Sequence, residues 1–254
     1  RKEHPAFFGR SLKIALIMAA VIAPAQVMIG DMKGLSTAKH QPAKLAAMEG
    51  HWETNTEGGA AFKLFAIPDM EAERNRLEIS VPNGLSYLIT HSRDGRVQGL
   101  KDFPKEDRPN ALITYWSFRV MVGIGFLFIG VMVWALVLAV RKQLYTSTPF
   151  LKTLVAVQPL GFLAVVMGWI TTEVGRQPWV AYGLMRTAEG VSPIHPGNVL
   201  WSFSVFILFF GIIGTSYFYY ILKILRSGPD LSSPIPPVQI PSGMRPVEDV
   251  LKEV

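Results

Sequence analysis

The stretch VMVGIGFLFIGVMVWALVLAV, residues 120–140, decides the fold class of this 254-residue chain. Its 21 residues include no charged side chain, and Arg119 and Arg141 stand directly at its two ends. A helix that crosses a bilayer needs roughly 20 predominantly apolar residues. The stretch therefore predicts a transmembrane helix with an arginine at each end.

Three further uncharged runs, of 17, 20 and 27 residues, begin at Ile14, Thr153 and Pro196. Only 17% of the residues are charged and 50% are hydrophobic, whereas soluble domains carry about 25% charge. The chain is therefore predicted to be an all-α integral membrane protein with four transmembrane helices and one long extracytoplasmic loop. The helices are expected near residues 11–30, 112–141, 151–173 and 197–225.

The orientation follows from lysine and arginine in the short connections, because these residues accumulate on the cytoplasmic side. Basic residues precede the first run, separate the second from the third, and follow the fourth: Arg1, Lys2, Arg10, Lys13, Arg141, Lys142, Lys152, Lys223 and Arg226. Both chain ends are therefore predicted to be cytoplasmic. The formal charge of +6 is explained by this topology, and no nucleic-acid partner is expected.

Four parts of the chain are expected from this pattern. They are a cytoplasmic start with the first membrane helix (1–30), an extracytoplasmic loop (31–111), three membrane helices (112–226) and a cytoplasmic Pro-rich tail (227–254). Within the loop, residues 39–53 are predicted to form a short helix, and residues 77–79 and 87–90 short extended pieces. The chain opens with Arg1 rather than Met and shows no signal peptide, so it is interpreted as part of a longer protein.

Arg119 and Met121 lie at the outer end of the second predicted span. Taken alone, this stretch favours an arginine that snorkels to the interface and a methionine that fills space. The alternative is a thioether ligand of a haem iron, with the guanidinium beside a haem propionate.

The third span ends in the polar sequence WITTEVGRQPW, residues 169–179. Glu173 and Arg176 are three residues apart and share one helix face. Two interpretations stay open: an ion pair at a helix end before the Pro178 stop, or a carboxylate ligand of a high-spin haem, crowded by tryptophans.

The loop contains KLAAME, residues 44–49. Its spacing alone favours a solvated helix face. The functional alternative is a quinol site, in which Glu49 accepts a hydroxyl proton and Lys44 steadies the other oxygen. The chain has no cysteine and five histidines, none of them in an uncharged run before Pro196.

These three motifs in this order, with Trp52-Glu53-Thr54 after the first, resemble subunit I of the cytochrome bd quinol oxidases. The second motif is Phe118-Arg119-Val120-Met121-Val122, and the third is residues 173–179; Gly30-Asp31 also resembles the family. The resemblance implies that the chain supplies the final four membrane spans of subunit I and that residues 31–118 form the quinol-binding loop.

The resemblance also implies roles for single residues. Lys44 and Glu49 are expected to act in quinol oxidation. Met121 is expected to ligate the iron of a low-spin haem b, with Arg119 beside that haem. Glu173 is expected to ligate the iron of a high-spin haem, with Arg176 and Trp169 nearby.

The implied activity is that of a bd-type terminal oxidase, which oxidises quinol and reduces oxygen to water through haems. The loop after Glu53 is short, as in the cyanide-insensitive branch, so the choice between haem b and haem d at the high-spin sites stays open.

Expected partners are the N-terminal part of subunit I, subunit II, quinol and membrane lipid. The expected location is the bacterial cytoplasmic (inner) membrane, with the loop on the periplasmic side. The fragment alone is expected to be inactive.

The alternative from another functional class is a transporter or channel subunit with Arg119 and Glu173 lining the path. Transporters more often show inverted repeats or paired broken helices near the midplane. Here the charged residues lie at the ends of the spans, which favours the oxidase.

Overall fold

A computed structural model describes residues 5–228. The elements in chain order are α1 (Pro5–His40), α2 (Pro42–Glu49), β1 (Phe62–Asp69), β2 (Arg74–Val81), α3 (Gly84–Thr90), α4 (Ala111–Val140), α5 (Thr148–Val157), α6 (Leu160–Arg176), β3 (Trp179–Ala181), β4 (Met185–Arg186) and α7 (Pro196–Ser227). Four helical stretches in this part of the chain are long and apolar enough to cross a membrane. This confirms the predicted all-α membrane architecture, to which two short β-hairpins are added.

The first and third predicted spans differ in detail from the structure. The first span was predicted to end at residue 30, whereas α1 continues through Asp31 to His40. Hydropathy detects the membrane-embedded part of a helix and does not detect its polar extension. Pro24 lies inside α1 without ending it. Pro159 instead separates α5 from α6, since proline lacks an N–H and clashes with the preceding turn.

Residues 41–110, here called the interhelical region, connect α1 to α4 and contain α2, the β1–β2 hairpin and α3. The predicted helix over 39–53 ends at Gly50, whose φ of 58° lies in the left-handed region that glycine adopts without strain. Residues 77–79 lie in β2, as predicted. The extended piece predicted at 87–90 is wrong: these residues belong to α3, whose Leu85 is buried against Ala60 and Val97.

The interhelical region is ordered around its own apolar cluster. Trp52 and Leu100 are buried together with Ala46, Ala47 and Ala111. The last of these is the first residue of α4, so the cluster joins the interhelical region to a membrane helix. The interhelical region is therefore ordered and has buried residues of its own.

Within the described residues the chain divides into two compact units, the first ending at residue 191 and the second beginning at residue 192. In the first unit, α4 packs along α6, and Ser117 Oγ lies 2.8 Å from Thr171 Oγ1 at their shared interface. At the other end of α4, Phe150 of α5 is buried against Val131, Ala135 and Leu138. In the second unit, α7 begins with Pro196, and the Nδ1 of His195 accepts a hydrogen bond from the Gly197 N–H. The predicted tail lies outside the described residues from position 229 onward.

Candidate functional site

The three predicted motifs meet at one end of the helix bundle. Helix α2 packs against the N-terminal turns of α4 and the C-terminal turns of α6. Sequence-distant charged residues are thereby brought together: Lys44 and Glu49 of α2, Arg119 of α4, and Glu173 and Arg176 of α6.

Glu49 is buried in an ion pair with Arg119. Glu49 is 5% exposed, and its Oε2 lies 2.5 Å from Nη2 of Arg119. The Nε of the same guanidinium donates to the backbone carbonyl of Lys63 at 3.0 Å. The interpretation of residues 44–49 as a solvated helix face is therefore wrong for Glu49.

Arg119 points into the protein and does not snorkel to an interface. Its guanidinium carbon lies 4.6, 4.8 and 5.4 Å from the ring centres of Phe62, Tyr115 and Phe118. Its Nη1 is buried and has no hydrogen-bond partner among the described residues. A buried donor without an acceptor costs roughly 1–3 kcal/mol, so this nitrogen is suited to an additional anionic group, such as a haem propionate.

Met121 follows two residues after Arg119 and faces α6. A Cβ built on Gly168 would lie 2.8 Å from its Sδ, so the sulfur occupies space that the glycine leaves open. The thioether is half-buried at the α4–α6 interface. Both sequence interpretations, a space-filling side chain and an iron ligand, are compatible with this position.

Glu173 and Arg176 form an ion pair within the last turns of α6. Their side chains are 41% and 36% exposed, so this pair is far more accessible than the pair formed by Glu49. Trp169, one turn earlier on α6, is 66% exposed.

Lys44 joins α2 to this end of α6. Its Nζ donates to the carbonyl of Thr172 at 3.3 Å, and a Cβ on Gly175 would lie 3.1 Å from its Cγ. Burial lowers the pKa of Lys44, and the nearby positive charge of Arg176 lowers it further, while Glu173 acts in the opposite direction. The lysine thus lies within electrostatic range of both members of the α6 pair.

Sequence reasoning missed two residues that complete the site. Tyr115 is fully buried, and its hydroxyl donates to the Lys63 carbonyl at 3.1 Å. Tyr115 is four residues before Arg119, so both side chains lie on one helix face. This spacing could have identified Tyr115 from the sequence. Lys63 is 8% exposed and lies in β1, which contains none of the three motifs.

Comparisons with known proteins agree with the motif resemblance. A family model described as cytochrome bd terminal oxidase subunit I matches residues 1–229. The chain is 36% identical to cytochrome bd ubiquinol oxidase subunit 1 of Bacillus subtilis (strain 168) over 238 residues, which cover 90% of this chain and 50% of that protein. It is 26% identical to cytochrome bd-II ubiquinol oxidase subunit 1 of Escherichia coli (strain K12), covering 91% of this chain and 57% of that protein.

A solved structure agrees with these relatives. The bd oxidase from Geobacillus thermodenitrificans has a chain that matches with a TM-score of 0.76 and 31% identity, covering 87% of this chain and 50% of that one. The chain therefore spans about half the length of the relatives it matches. Because these relatives are oxidase chains, the transporter alternative is not supported.

Proposed function

The chain belongs to the cytochrome bd terminal oxidase subunit I family, and we propose that it supplies the quinol-oxidising, carboxyl-terminal half of such a subunit. The proposed complete reaction is the oxidation of quinol coupled to the reduction of oxygen to water. The proposed location is the bacterial inner membrane, with the interhelical region on the periplasmic side. The proposed partners are the remainder of subunit I, subunit II and membrane lipid.

One observation carries the proposal: α2 directs its two charged residues to the two other motifs. Lys44 and Glu49 are five residues apart, which corresponds to about 140° around a helix. Glu49 therefore reaches Arg119 of α4, and Lys44 reaches the end of α6 beside Glu173. A quinol bound beside α2 would lie next to both groups of candidate haem residues.

The charges of α2 suit the chemistry of a quinol. Oxidation removes two protons and two electrons, so the site needs a proton acceptor within hydrogen-bond reach of a hydroxyl. Glu49 is a carboxylate 2.5 Å from the guanidinium of Arg119, and we propose that it accepts this proton. Lys44 can stabilise the second oxygen with its ammonium group.

The residues that would hold haem are Met121 with Arg119 for a low-spin haem b, and Glu173 with Arg176 and Trp169 for a high-spin haem. The unpartnered Nη1 of Arg119 and the space beside Gly168 that the thioether occupies fit this assignment. The chemistry that bound haem supplies is one-electron transfer between quinol and oxygen. The high-spin haem is proposed to be of type b or type d.

The experiment that tests the function uses the complete oxidase with subunit II. We expect Lys44→Met and Glu49→Gln each to reduce quinol-dependent oxygen consumption by about 100-fold, the scale of general acid–base catalysis. Turnover is expressed per haem, because Glu49→Gln removes the counter-charge of Arg119 although glutamine can still accept its hydrogen bond, whereas Lys44 is only half-buried.

The matched control is Glu53→Gln, which removes a carboxylate that is 77% exposed in the same region. This variant should keep wild-type turnover. Wild-type turnover in both site variants would contradict the quinol role of α2.

A further inference from the structure

A groove lies between α1 and α4 at the end of the first unit that is predicted to face the cytoplasm. Its volume is about 460 Å³, within the range of about 300–1,000 Å³ that is typical of ligand sites. Apolar side chains of both helices line it, among them Leu16, Ile17 and Ala20 of α1 and Met132, Ala135 and Ala139 of α4. Such a surface accommodates a hydrocarbon chain.

The polar residues that line the groove come together at one end of it. They are Lys13 of α1 with Lys142 and Tyr145 of the connection after α4. Lys13 is seven residues before Ala20, which is about 10 Å along a helix. A Cβ built on Gly9 would lie 3.9 Å from the Tyr145 ring, so the start of α1 adjoins this connection. The groove is therefore cationic at its mouth and apolar along its length.

No acidic side chain neutralises the two lysines. The sequence has no aspartate or glutamate in residues 5–30 or 108–172, and within residues 5–228 neither Lys13 nor Lys142 has an ion-pair partner. Basic pockets between membrane helices on the cytoplasmic side are typical sites for anionic lipid headgroups. The charge of the mouth is thus complementary to an anion that is attached to an acyl chain.

The backbone at Lys142 is unusual for a lysine. Its N–H donates to the Ala139 carbonyl at 3.0 Å, and the Gln143 N–H donates to the Leu138 carbonyl at 2.8 Å. This pattern ends a helix with one residue in the left-handed region, which is usually glycine, and Lys142 has a φ of 57°. The helix end alone does not explain a lysine here, whereas a positive charge at the mouth of the groove does.

We propose that this groove binds one anionic phospholipid of the cytoplasmic leaflet. Its phosphate lies between Lys13 and Lys142, where the Tyr145 hydroxyl can donate a further hydrogen bond, and one acyl chain follows the apolar part of the groove. The bound lipid connects α1 to α4 at the end of the first unit that is remote from Lys44 and Glu49. The lipid site and the quinol site can therefore be tested separately.

The test is a titration of the complete oxidase with subunit II, in dodecyl maltoside, with phosphatidylglycerol. Native mass spectrometry counts the lipids that stay bound. We expect the double variant Lys13→Gln/Lys142→Gln to bind one phosphatidylglycerol about 30-fold more weakly than the wild type, because each lysine near an anionic lipid contributes about fivefold in affinity. Phosphatidylcholine, which has no net charge, should bind weakly at this site in both proteins.

Two further variants separate lipid binding from folding. Lys142→Gly places the usual residue at the left-handed position, so the end of α4 should not be destabilised, yet affinity for phosphatidylglycerol should fall about fivefold. The matched control Lys152→Gln removes an exposed lysine of α5 that does not line the groove, and it should bind phosphatidylglycerol like the wild type. If the double variant does not assemble, Lys142→Gly decides the question.

Weaker phosphatidylglycerol binding in the double variant or in Lys142→Gly, with wild-type binding in Lys152→Gln, supports the lipid site. Unchanged binding in the groove variants overturns it, as expected if the remainder of subunit I covers the groove. Equal retention of phosphatidylcholine and phosphatidylglycerol at this site also overturns it. Displacement of phosphatidylglycerol by an equal concentration of inorganic phosphate would assign the lysines to free phosphate and not to a lipid.

Discussion

The two carboxylates of the site lie in opposite environments. Glu49 and Arg119 have side chains only 6% and 11% exposed, and breaking a buried pair of this kind costs roughly 3–5 kcal/mol. Glu173 and Arg176 are 41% and 36% exposed, and exposed pairs contribute roughly 0–1 kcal/mol. Removing one member of the first pair should therefore destabilise the fold, whereas the second pair can be altered at little structural cost.

Met121→Leu tests the ligand role of the thioether. Leucine has a similar volume but no sulfur lone pair, so packing against Gly168 should change little. We expect the low-spin haem signal of the complete oxidase to disappear or to become high-spin. An unaltered low-spin spectrum in Met121→Leu would assign this side chain to packing alone.

Glu173→Gln and Arg176→Ala distinguish an iron ligand from a helix-end ion pair. If the pair is only structural, both changes should have similar and small effects. If Glu173 binds iron, its anionic oxygen is needed, so Glu173→Gln should lose or perturb a high-spin haem while Arg176→Ala is milder. Haem stoichiometry and the reduced-minus-oxidised spectrum of both variants decide between them, and a full high-spin signal in Glu173→Gln excludes the ligand role.

At the scale of elements, the end of α2 is tied to the chain segment that precedes α4. The backbone N–H groups of Leu100 and Lys101 donate to the carbonyls of His51 and Trp52 at 2.8 and 2.9 Å. His51 adds a side-chain bond between its Nε2 and the carbonyl of Val97 at 3.2 Å. These contacts hold α2 in the position from which Glu49 reaches Arg119.

Acidification should weaken this arrangement through His51. Burial lowers the pKa of His51 to about 4 from the ordinary value of 6.5, so between these values the unfolded region binds a proton that the folded region does not. Stability should therefore fall as the pH falls from 6.5 toward 4, by about 3 kcal/mol in total at 1.36 kcal/mol per unit.

Amide hydrogen exchange of residues 42–53 and 97–102 as a function of pH measures this effect. His51→Gln should abolish the pH dependence, whereas the control His91→Gln alters an exposed histidine and should retain it. A loss of protection that is equally steep in His51→Gln would assign the effect to another group.

At the scale of the molecule, the segments between helices that were predicted to lie on the same side of the membrane are found at the same end of the first unit. The turn after α6 contacts the interhelical region, where Arg186 Nη2 lies 2.6 Å from Asp107 Oδ1. At the other end, Gly9 of α1 lies near Tyr145, in the connection between α4 and α5. This agrees with the pairing of ends that the lysine and arginine distribution predicts.

Cysteine labelling in the native membrane tests which end faces outward. The chain contains no cysteine of its own, and Ser92, Thr146 and Ala188 are exposed. A membrane-impermeant reagent added outside should label Ser92→Cys and Ala188→Cys, and should label Thr146→Cys only after permeabilisation. Labelling of all three from the same side would contradict the topology.

The membrane spans and the three motifs were predictable from the sequence, because both depend on local composition and short spacing. An uncharged run of about 20 residues identifies a span wherever it occurs, and Glu173 and Arg176 lie within one helix turn. Helix ends were less predictable: the polar turns that extend α1 to His40, and the division of the third span at Pro159, depend on local backbone geometry that hydropathy does not measure.

Only the tertiary structure decided how the motifs combine. Glu49 and Arg119 are 70 residues apart, and Lys44 reaches a carbonyl 128 residues away. Nothing in the spacing of residues 44–49 shows that Glu49 is buried, because a solvated helix face and a docked one can have the same sequence pattern. The burial of Lys63 likewise follows from two hydrogen bonds between a β-strand and a membrane helix. Contacts between sequence-distant elements therefore determine which of the charged residues act on one another.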